Sequence, residues 1–220
     1  MRAGAGFAAL LAPQAPAAAA SGRSEAAPNS LFRQRIAEAE RSAEHPGGGW
    51  HLRNPRSGAL GRYQFLPVAL QDIGWRLPDG RWSALAAQHG VASEEDFLAR
   101  PAAQEAAMTA FLQRLEAQLQ RLGLTDRRGM VLRGLGGQEI PLTEAGLIAA
   151  AHRRGPAMLA RWLRHRSETP DAPVPPPLRA AFLQLERRLL AFADVAYQPL
   201  RAPAAPGPAL AGAGGQPSGA

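Results

Sequence analysis

The sequence contains no cysteine and no lysine, and every one of its 25 basic residues is arginine. Without cysteine there can be no disulfide framework, no Cys-ligated zinc and no thiol nucleophile. This absence is compatible with the cytoplasm and with the periplasm, so it does not decide the compartment. Runs of 18 or more strongly apolar residues are also missing. We therefore predict no membrane span.

Positive charge is in excess: 25 basic and 18 acidic residues give a net charge of +7. Such a surface favours anionic partners such as nucleic acid, anionic lipid or a cell-wall polymer. The exclusive use of arginine could reflect phosphate recognition, but a GC-rich genome explains it more simply. Because no helix clusters base-reading side chains, we expect no nucleic-acid partner. The arginine content keeps a nucleic-acid binder open as an alternative.

The two ends of the chain differ in composition from its middle. Residues 1–28 are rich in Ala, Pro and Gly, and one Arg followed by a short apolar run and an A-x-A site near residues 18–20 resembles a secretory signal. A disordered leader is the alternative. Residues 199–220 form a second segment of this composition, which cannot bury enough apolar surface to order itself. We expect a single domain at 29–198, periplasmic or secreted.

Hydrophobic periodicity between these ends is helical nearly throughout, which predicts a mainly α fold. The first helix should begin near Asn29 or Ser30 and run to Glu44. Further helices are predicted after the start signals Pro67, Ser93, Pro101, Thr143 and Pro156, and from Leu178 to Tyr197. A short helix at most is predicted in "WSALAAQHG", and a small hairpin in "VLRGLGGQEIPL".

Glu40 is the candidate catalytic residue of the first helix. Phe32, Ile36 and Glu40 lie four residues apart and share one face, so Glu40 continues an apolar row at the carboxyl end of the helix. Partial burial and the negative end of the helix dipole both disfavour an ionised carboxyl group there. A carboxyl in that setting suits a general acid.

The alternative is a surface carboxylate at a helix end, pairing with Arg41 or Arg62. Glu44, one turn further on, is the reserve candidate for the acid. We expect that removing such a half-solvated carboxyl abolishes proton transfer to the substrate but changes the stability of the fold little.

A chemically varied loop, "SGALGRYQF", follows this helix at Ser57–Phe65. Backbone at Gly61, the ring of Tyr63 and the amide of Gln64 would form a concave wall opposite the acid. Flat rings against sugar faces and amides against hydroxyl and N-acetyl groups are suited to a glycan.

The segments "FRQRIAEAERS" and "NPRSGALGRYQFLPVALQDIG" together resemble the lysozyme-like lytic transglycosylases. In that family a helix with the pattern F…I…E-S carries the catalytic acid, and a segment P-x-S-G-A-x-G-x-x-Q-F/L-x-P follows. The resemblance implies a lysozyme-like domain with Glu40 as the acid and a substrate contact at Ser57.

A second segment, "AAHRRGPAMLARWL", is similar to the family's A-Y-N-A-G-P helix junction, so the resemblance spans residues 30–165. His152 and Arg153 stand where the family has Tyr and Asn. The resemblance implies that His152 is a hydrogen-bonding group at the glycan; a helix-end residue without a role is the alternative.

The implied activity is cleavage of the β-1,4 bond between N-acetylmuramic acid and N-acetylglucosamine in peptidoglycan, forming a 1,6-anhydro product. No cofactor or metal is expected, and we expect a monomer whose partner is the glycan strand. An ordinary glycosidase needs a second carboxylate, for which Asp72 is the nearest but unconvincing choice. Hydrolysis by a muramidase and a catalytically inactive glycan-binding scaffold stay open as alternatives.

Overall fold

A computed structural model of the chain describes residues 29–200. The predicted leader, 1–28, and residues 201–220 of the predicted tail lie outside the described residues. The described part is mainly α, as predicted. Its helices are α1 (Ser30–Ala39), α2 (Pro67–Asp72), α3 (Ala84–Gln88), α4 (Glu94–Ala99), α5 (Pro101–Arg121), α6 (Glu144–Arg154), α7 (Pro156–Glu168) and α8 (Pro176–Ala191).

Two 3₁₀ helices, Pro46–Gly49 and Thr125–Arg127, and two strands complete the secondary structure of these residues. Strands β1 (Val131–Arg133) and β2 (Glu139–Pro141) pair antiparallel and form the predicted hairpin. None of the helices described here is both long and apolar enough to cross a membrane.

Helix starts follow the local signals in the sequence. Proline occupies the first turn of α2, α5, α7 and α8, where its missing N–H is not needed. The hydroxyls of Ser83, Ser93 and Thr143 accept backbone hydrogen bonds at the starts of α3, α4 and α6. Asn29 precedes α1, but its side chain bonds the backbone of Gln198 instead of capping the helix.

Two helices end earlier than predicted. α1 stops at Ala39, five residues before Glu44, because Arg41 adopts a left-handed conformation with φ of 60°. α8 stops at Ala191, not at Tyr197. After α8 the apolar residues Phe192, Val195 and Tyr197 continue past the end of the helix, so periodicity alone overestimates its length.

The core is built around α6, whose residues 145–151 are all buried. This helix packs against α5, α7 and α8, and it can do so closely because most of these residues are Ala or Gly. A Cβ atom on Gly146 would lie 3.2 Å from the backbone oxygen of Leu189 in α8. The predicted apolar stripe of α5 is buried except at Leu122, which is half exposed beyond the end of the helix.

A buried carboxylate fixes the hairpin to this core. Glu186 of α8 is 1% exposed and accepts hydrogen bonds from the backbone N–H of Leu135 (2.9 Å), from Trp162 Nε1 (3.0 Å) and from Gln138 Nε2 (3.2 Å). Removing the acceptor leaves buried donors without a partner, which is costly in a protein interior.

We predict that Glu186→Ala lowers the free energy of unfolding by about 3 kcal/mol, because buried donors lose their acceptor and a cavity forms. The matched control, Glu168→Ala at the exposed end of α7, should change it by less than about 0.5 kcal/mol. Urea unfolding followed by circular dichroism measures both. Equal stability of the two variants would contradict the anchoring role of Glu186.

Candidate active site

The carboxyl end of α1, the last turn of α6 and the last turns of α8 meet at the side chain of Glu40. Arg188 Nη2 of α8 donates to Glu40 Oε1 at 2.7 Å, and Arg153 Nη1 of α6 donates to Oε2 at 3.1 Å. Each carboxylate oxygen therefore binds one guanidinium group. The predicted alternative pairs, with Arg41 or Arg62, do not form: Arg41 is exposed, and Arg62 bonds Gln34 and the backbone oxygen of Gly48.

Burial separates the two candidate acids. The side chain of Glu40 is 10% exposed, whereas Glu44 is exposed to solvent. The partial desolvation predicted for Glu40 is therefore present, although it comes with two cationic partners. Because Arg188 is itself only 7% exposed, loss of the Glu40 charge would leave a buried guanidinium without its partner. We therefore now expect that removing the Glu40 charge lowers the stability of the fold, which revises our expectation from the sequence.

Arg188 was missed as a site residue. It follows Leu185 by three residues and precedes Phe192 by four, so helical spacing places it on the buried face of α8. An arginine within an apolar stripe signals a buried acid partner, and this signal was available in the sequence. The guanidinium also lies 5.7 Å from the centroid of the Phe192 ring, and burial lowers the pKa of Arg188.

His152 is brought to Glu40 but is held inside the protein. Its Nδ1 lies 4.0 Å from Glu40 Oε1, its side chain is 8% exposed, and its ring packs edge-on against Phe111 at a centroid distance of 5.6 Å. Burial lowers the pKa of His152 to about 4; the charge of Glu40 opposes this shift, and Arg188 adds to it. The ring is therefore neutral near pH 7. Its Nδ1 is buried without a hydrogen-bond partner among the described residues.

The loop Ser57–Phe65 is held in place mainly by its own backbone. Leu60 forms bridges with both Arg53 and Phe65, and Asn54 Oδ1 accepts from the N–H groups of Arg56 and Ser57. Ser42, two residues after Glu40, joins this loop to α1: its hydroxyl lies between the backbone oxygens of Ala37 and Arg62 and has one hydrogen to donate to either. Ser42 is fully buried and was not singled out from the sequence.

Gly61 is required for packing. It has φ of 70°, and a Cβ atom there would lie 2.1 Å from Gln104 Oε1. Gln104 is fully buried; it accepts from the N–H of Arg62 (2.9 Å) and donates to the backbone oxygens of Trp50 (2.8 Å) and Phe97 (3.0 Å). The glycine therefore admits the amide that fixes the loop to α5.

Tyr63 does not form an exposed wall, which corrects that part of the prediction. The residue is 1% exposed, its ring packs edge-on against Phe65, and its hydroxyl donates to Glu105 of α5. Burial raises the pKa of Tyr63 well above its usual value, and the bond to Glu105 adds to this shift. Phe65 is in the core, as predicted.

The remaining loop candidates are only partly available to a ligand. Ser57 is exposed, and its hydroxyl accepts from the N–H of Ala59 at 3.3 Å. Gln64 is half-buried, has φ of 51°, and donates its amide N–H to the oxygen of Gly61 at 2.9 Å. No contact within residues 29–200 joins either of them to Glu40, whose partners are the two arginines and His152.

A partner carboxylate for Glu40 is not among its contacts. Asp72, the nearest choice from the sequence, ends α2 and lies 4.0 Å from Arg114 of α5, with both side chains nearly half exposed. Within residues 29–200 no group of three or more His, Asp or Glu is arranged to hold a metal ion. The site is therefore one carboxylate, one neutral imidazole and two guanidinium groups.

Searches of protein-family models, of curated proteins and of solved structures found no match to this chain. The resemblance to lytic transglycosylases thus rests on the sequence motifs, and the site rests on its geometry.

We predict that Gly61→Ala lowers the free energy of unfolding by about 2 kcal/mol more than Gly80→Ala. Both glycines have positive φ, so both variants carry the cost of a left-handed alanine. Only Gly61 meets the amide of Gln104, whereas nothing lies within 4 Å of the Cβ position at Gly80. Urea unfolding of the two variants gives the difference, and equal losses would show that the clash is relieved at no cost.

We predict that His152 makes the fold less stable in acid. In the unfolded chain a histidine binds its proton near pH 6.5, but the folded protein keeps His152 neutral down to about pH 4. Between these values the unfolded state holds the extra proton, so the free energy of unfolding falls as the pH is lowered. The loss over this window is about 3 kcal/mol.

The measurement is urea unfolding at pH 7 and at pH 4 for the wild type, His152→Gln and the exposed control His51→Gln. The His152 variant should lose about 3 kcal/mol less stability on acidification than the wild type. The His51 variant should match the wild type. If the His152 variant lost as much stability on acidification as the wild type, a neutral, buried His152 in the folded protein would be ruled out.

Proposed function

We propose that the chain is a peptidoglycan lytic transglycosylase with a lysozyme-like domain, in which Glu40 is the proton donor. The observation that carries the proposal is the meeting of two distant motifs. The end of α1, which resembles the catalytic helix of that family, contacts His152 and Arg153, which lie 112 and 113 residues further along and belong to the second resembling segment.

Burial supports Glu40 as the acid over the reserve, Glu44. A proton donor to a glycosidic oxygen works best where water is partly excluded, and only Glu40 has that setting. The glycan contacts proposed for the loop reduce to Ser57 and Gln64, since Tyr63 and Gly61 serve the packing of the loop itself.

The proposed reaction needs one carboxyl group used twice. Glu40 first protonates the oxygen that leaves with the N-acetylglucosamine side of the bond. As a carboxylate it then removes the proton of the C6 hydroxyl of N-acetylmuramic acid, whose oxygen bonds to C1 and closes the 1,6-anhydro ring. The proton returns to Glu40, no water is consumed, and the carboxyl is ready for another cycle.

The two guanidinium groups favour the carboxylate form of Glu40, which lies between the two halves of this cycle. Arg153 and Arg188 stabilise the carboxylate that exists after the proton has left. Before that step Glu40 has to be protonated, so one or both ion pairs must open when the glycan binds. Arg153 is the group that can move, because it is 44% exposed, whereas Arg188 is 7% exposed.

These ion pairs also favour a second candidate function. A carboxylate with a cationic partner on each oxygen acts as a fixed structural tie between helices, and a domain built in this way could bind glycan without cleaving it. The second candidate is therefore a catalytically inactive glycan-binding scaffold. Hydrolysis by a muramidase differs from the first proposal only in its product.

The test is the release of soluble fragments from purified peptidoglycan, followed by chromatography and mass spectrometry. We predict that Glu40→Gln reduces the release rate by several orders of magnitude, because the amide cannot donate the proton. Glu44→Gln, with the same change at an exposed position, should keep the wild-type rate. Products lighter than the hydrolytic ones by one water identify the transglycosylase, and hydrolytic products identify a muramidase.

Stability has to be measured in parallel, because Glu40→Gln removes the partner of buried Arg188. We expect a loss of about 3 kcal/mol, so activity is compared at a temperature where circular dichroism shows the variant folded. A folded Glu40→Gln with full activity would refute the assignment of Glu40. A wild type that binds peptidoglycan but releases nothing would support the scaffold.

A further inference from the structure

We propose that the surface pocket between α1, α6 and α8 is a binding site for an oxyanion, that is, for a carboxylate or phosphate group. The pocket has a volume of about 300 Å³ and is lined by Ala39, Arg153, Gln184, Arg187, Arg188 and Ala191. Neither the resemblance nor the proposed reaction assigns a role to this side of Glu40.

Charge is not balanced in this pocket. The guanidinium groups of Arg153, Arg187 and Arg188 line it, and within residues 29–200 the one acid that pairs with any of them is Glu40. Glu40 pairs with Arg153 and Arg188, so Arg187 has no acid partner in this part of the chain, and three cations against one anion leave a net charge of +2. The neighbouring imidazole of His152 is neutral near pH 7 and adds no charge to the count.

Hydrogen-bonding capacity is also unused here. Arg188 is more than nine-tenths buried, yet its Nη1 has no hydrogen-bond partner among the described residues, and Nη2 alone donates to Glu40. Leaving a buried charged donor unpaired is costly, so it indicates an acceptor that the chain itself does not provide. The buried amide oxygen of Gln184 is unpartnered in the same way, and rotating that amide by 180° would present its NH₂ group instead.

The shape of the pocket suits a small charged group. Two of its lining residues, Ala39 and Ala191, carry only a methyl group, so small side chains stand beside the three arginines. Guanidinium groups bind carboxylate and phosphate through paired N–H donors, and Arg is the preferred residue for such groups. Arg153 and Arg187 are the more exposed of the three and would meet the ligand first.

The experiment is a titration of the full chain followed by the NMR signals of arginine Nε–H groups, at constant ionic strength and pH 7. Inorganic phosphate is the first probe. N-acetylmuramic acid, which carries a carboxylate on a sugar, is the second, and its methyl ester is the uncharged control. We expect saturable shifts of the signals of Arg153 and Arg187 with at least one of the two anions and none with the ester.

Arg187→Ala removes one pocket cation without touching Glu40, and Arg161→Ala is the matched control on the exposed side of α7. We expect the first to weaken anion binding by about tenfold and the second to leave it unchanged. Saturation by phosphate identifies a general oxyanion site, and saturation by N-acetylmuramic acid alone identifies a site for a carboxylate borne on sugar.

Shifts that grow linearly without saturation, or that are equally affected by Arg187→Ala and Arg161→Ala, would overturn the proposal. Because the readout is binding and needs no cleavage of peptidoglycan, its failure is distinct from an inactive enzyme. A catalytically inactive scaffold could therefore still contain this site, and an active enzyme could lack it.

Discussion

A buried charge needs a partner of opposite charge. In this protein that requirement holds the ends of α1, α6 and α8 together. The carboxylate of Glu40 holds Arg153 at the end of α6 and Arg188 near the end of α8. Arg188 is only 7% exposed, so separating α1 from α8 would leave a largely buried guanidinium group without its carboxylate partner. The imidazole of His152 stays neutral in the same enclosure, mainly because burial disfavours its charged form.

Much of the fold was accessible from the sequence because helix starts are encoded locally. Proline in the first turn, or a hydroxyl that caps it, marks seven of the eight helices described in residues 29–200. Helix ends were less accessible. α1 stops at Ala39 because Arg41 takes a left-handed backbone conformation and Ser42 is drawn to the loop around Arg62, a contact made across 20 residues of chain.

The candidate site shows the same division between local and distant information. The row Phe32, Ile36, Glu40 identified a partly buried carboxyl correctly, since it needs only helical spacing. The prediction that the loop forms an exposed wall failed because its glycine and tyrosine pack against residues far along the chain. Gly61 makes room for Gln104, and Tyr63 donates to Glu105, both on α5. A local sequence pattern indicates that such residues have a specific role, but it does not indicate whether their side chains face solvent or the core.

In the function proposed above, the ion pairs of Glu40 bring stability and catalysis into conflict at one group. A proton donor must carry its proton before the bond breaks, whereas an ion pair with a guanidinium group needs the carboxylate. A substrate that supplied one of the arginines with another acceptor would relieve this conflict. The excess positive charge beside α8 could bind such an acceptor. An anion held by Arg153 and Arg187 would compete with Glu40 for Arg153. The Glu40 carboxylate would then keep one cationic partner, buried Arg188. In the proposed reaction, an anion in this pocket and the glycosidic bond would both act on the carboxyl group of Glu40.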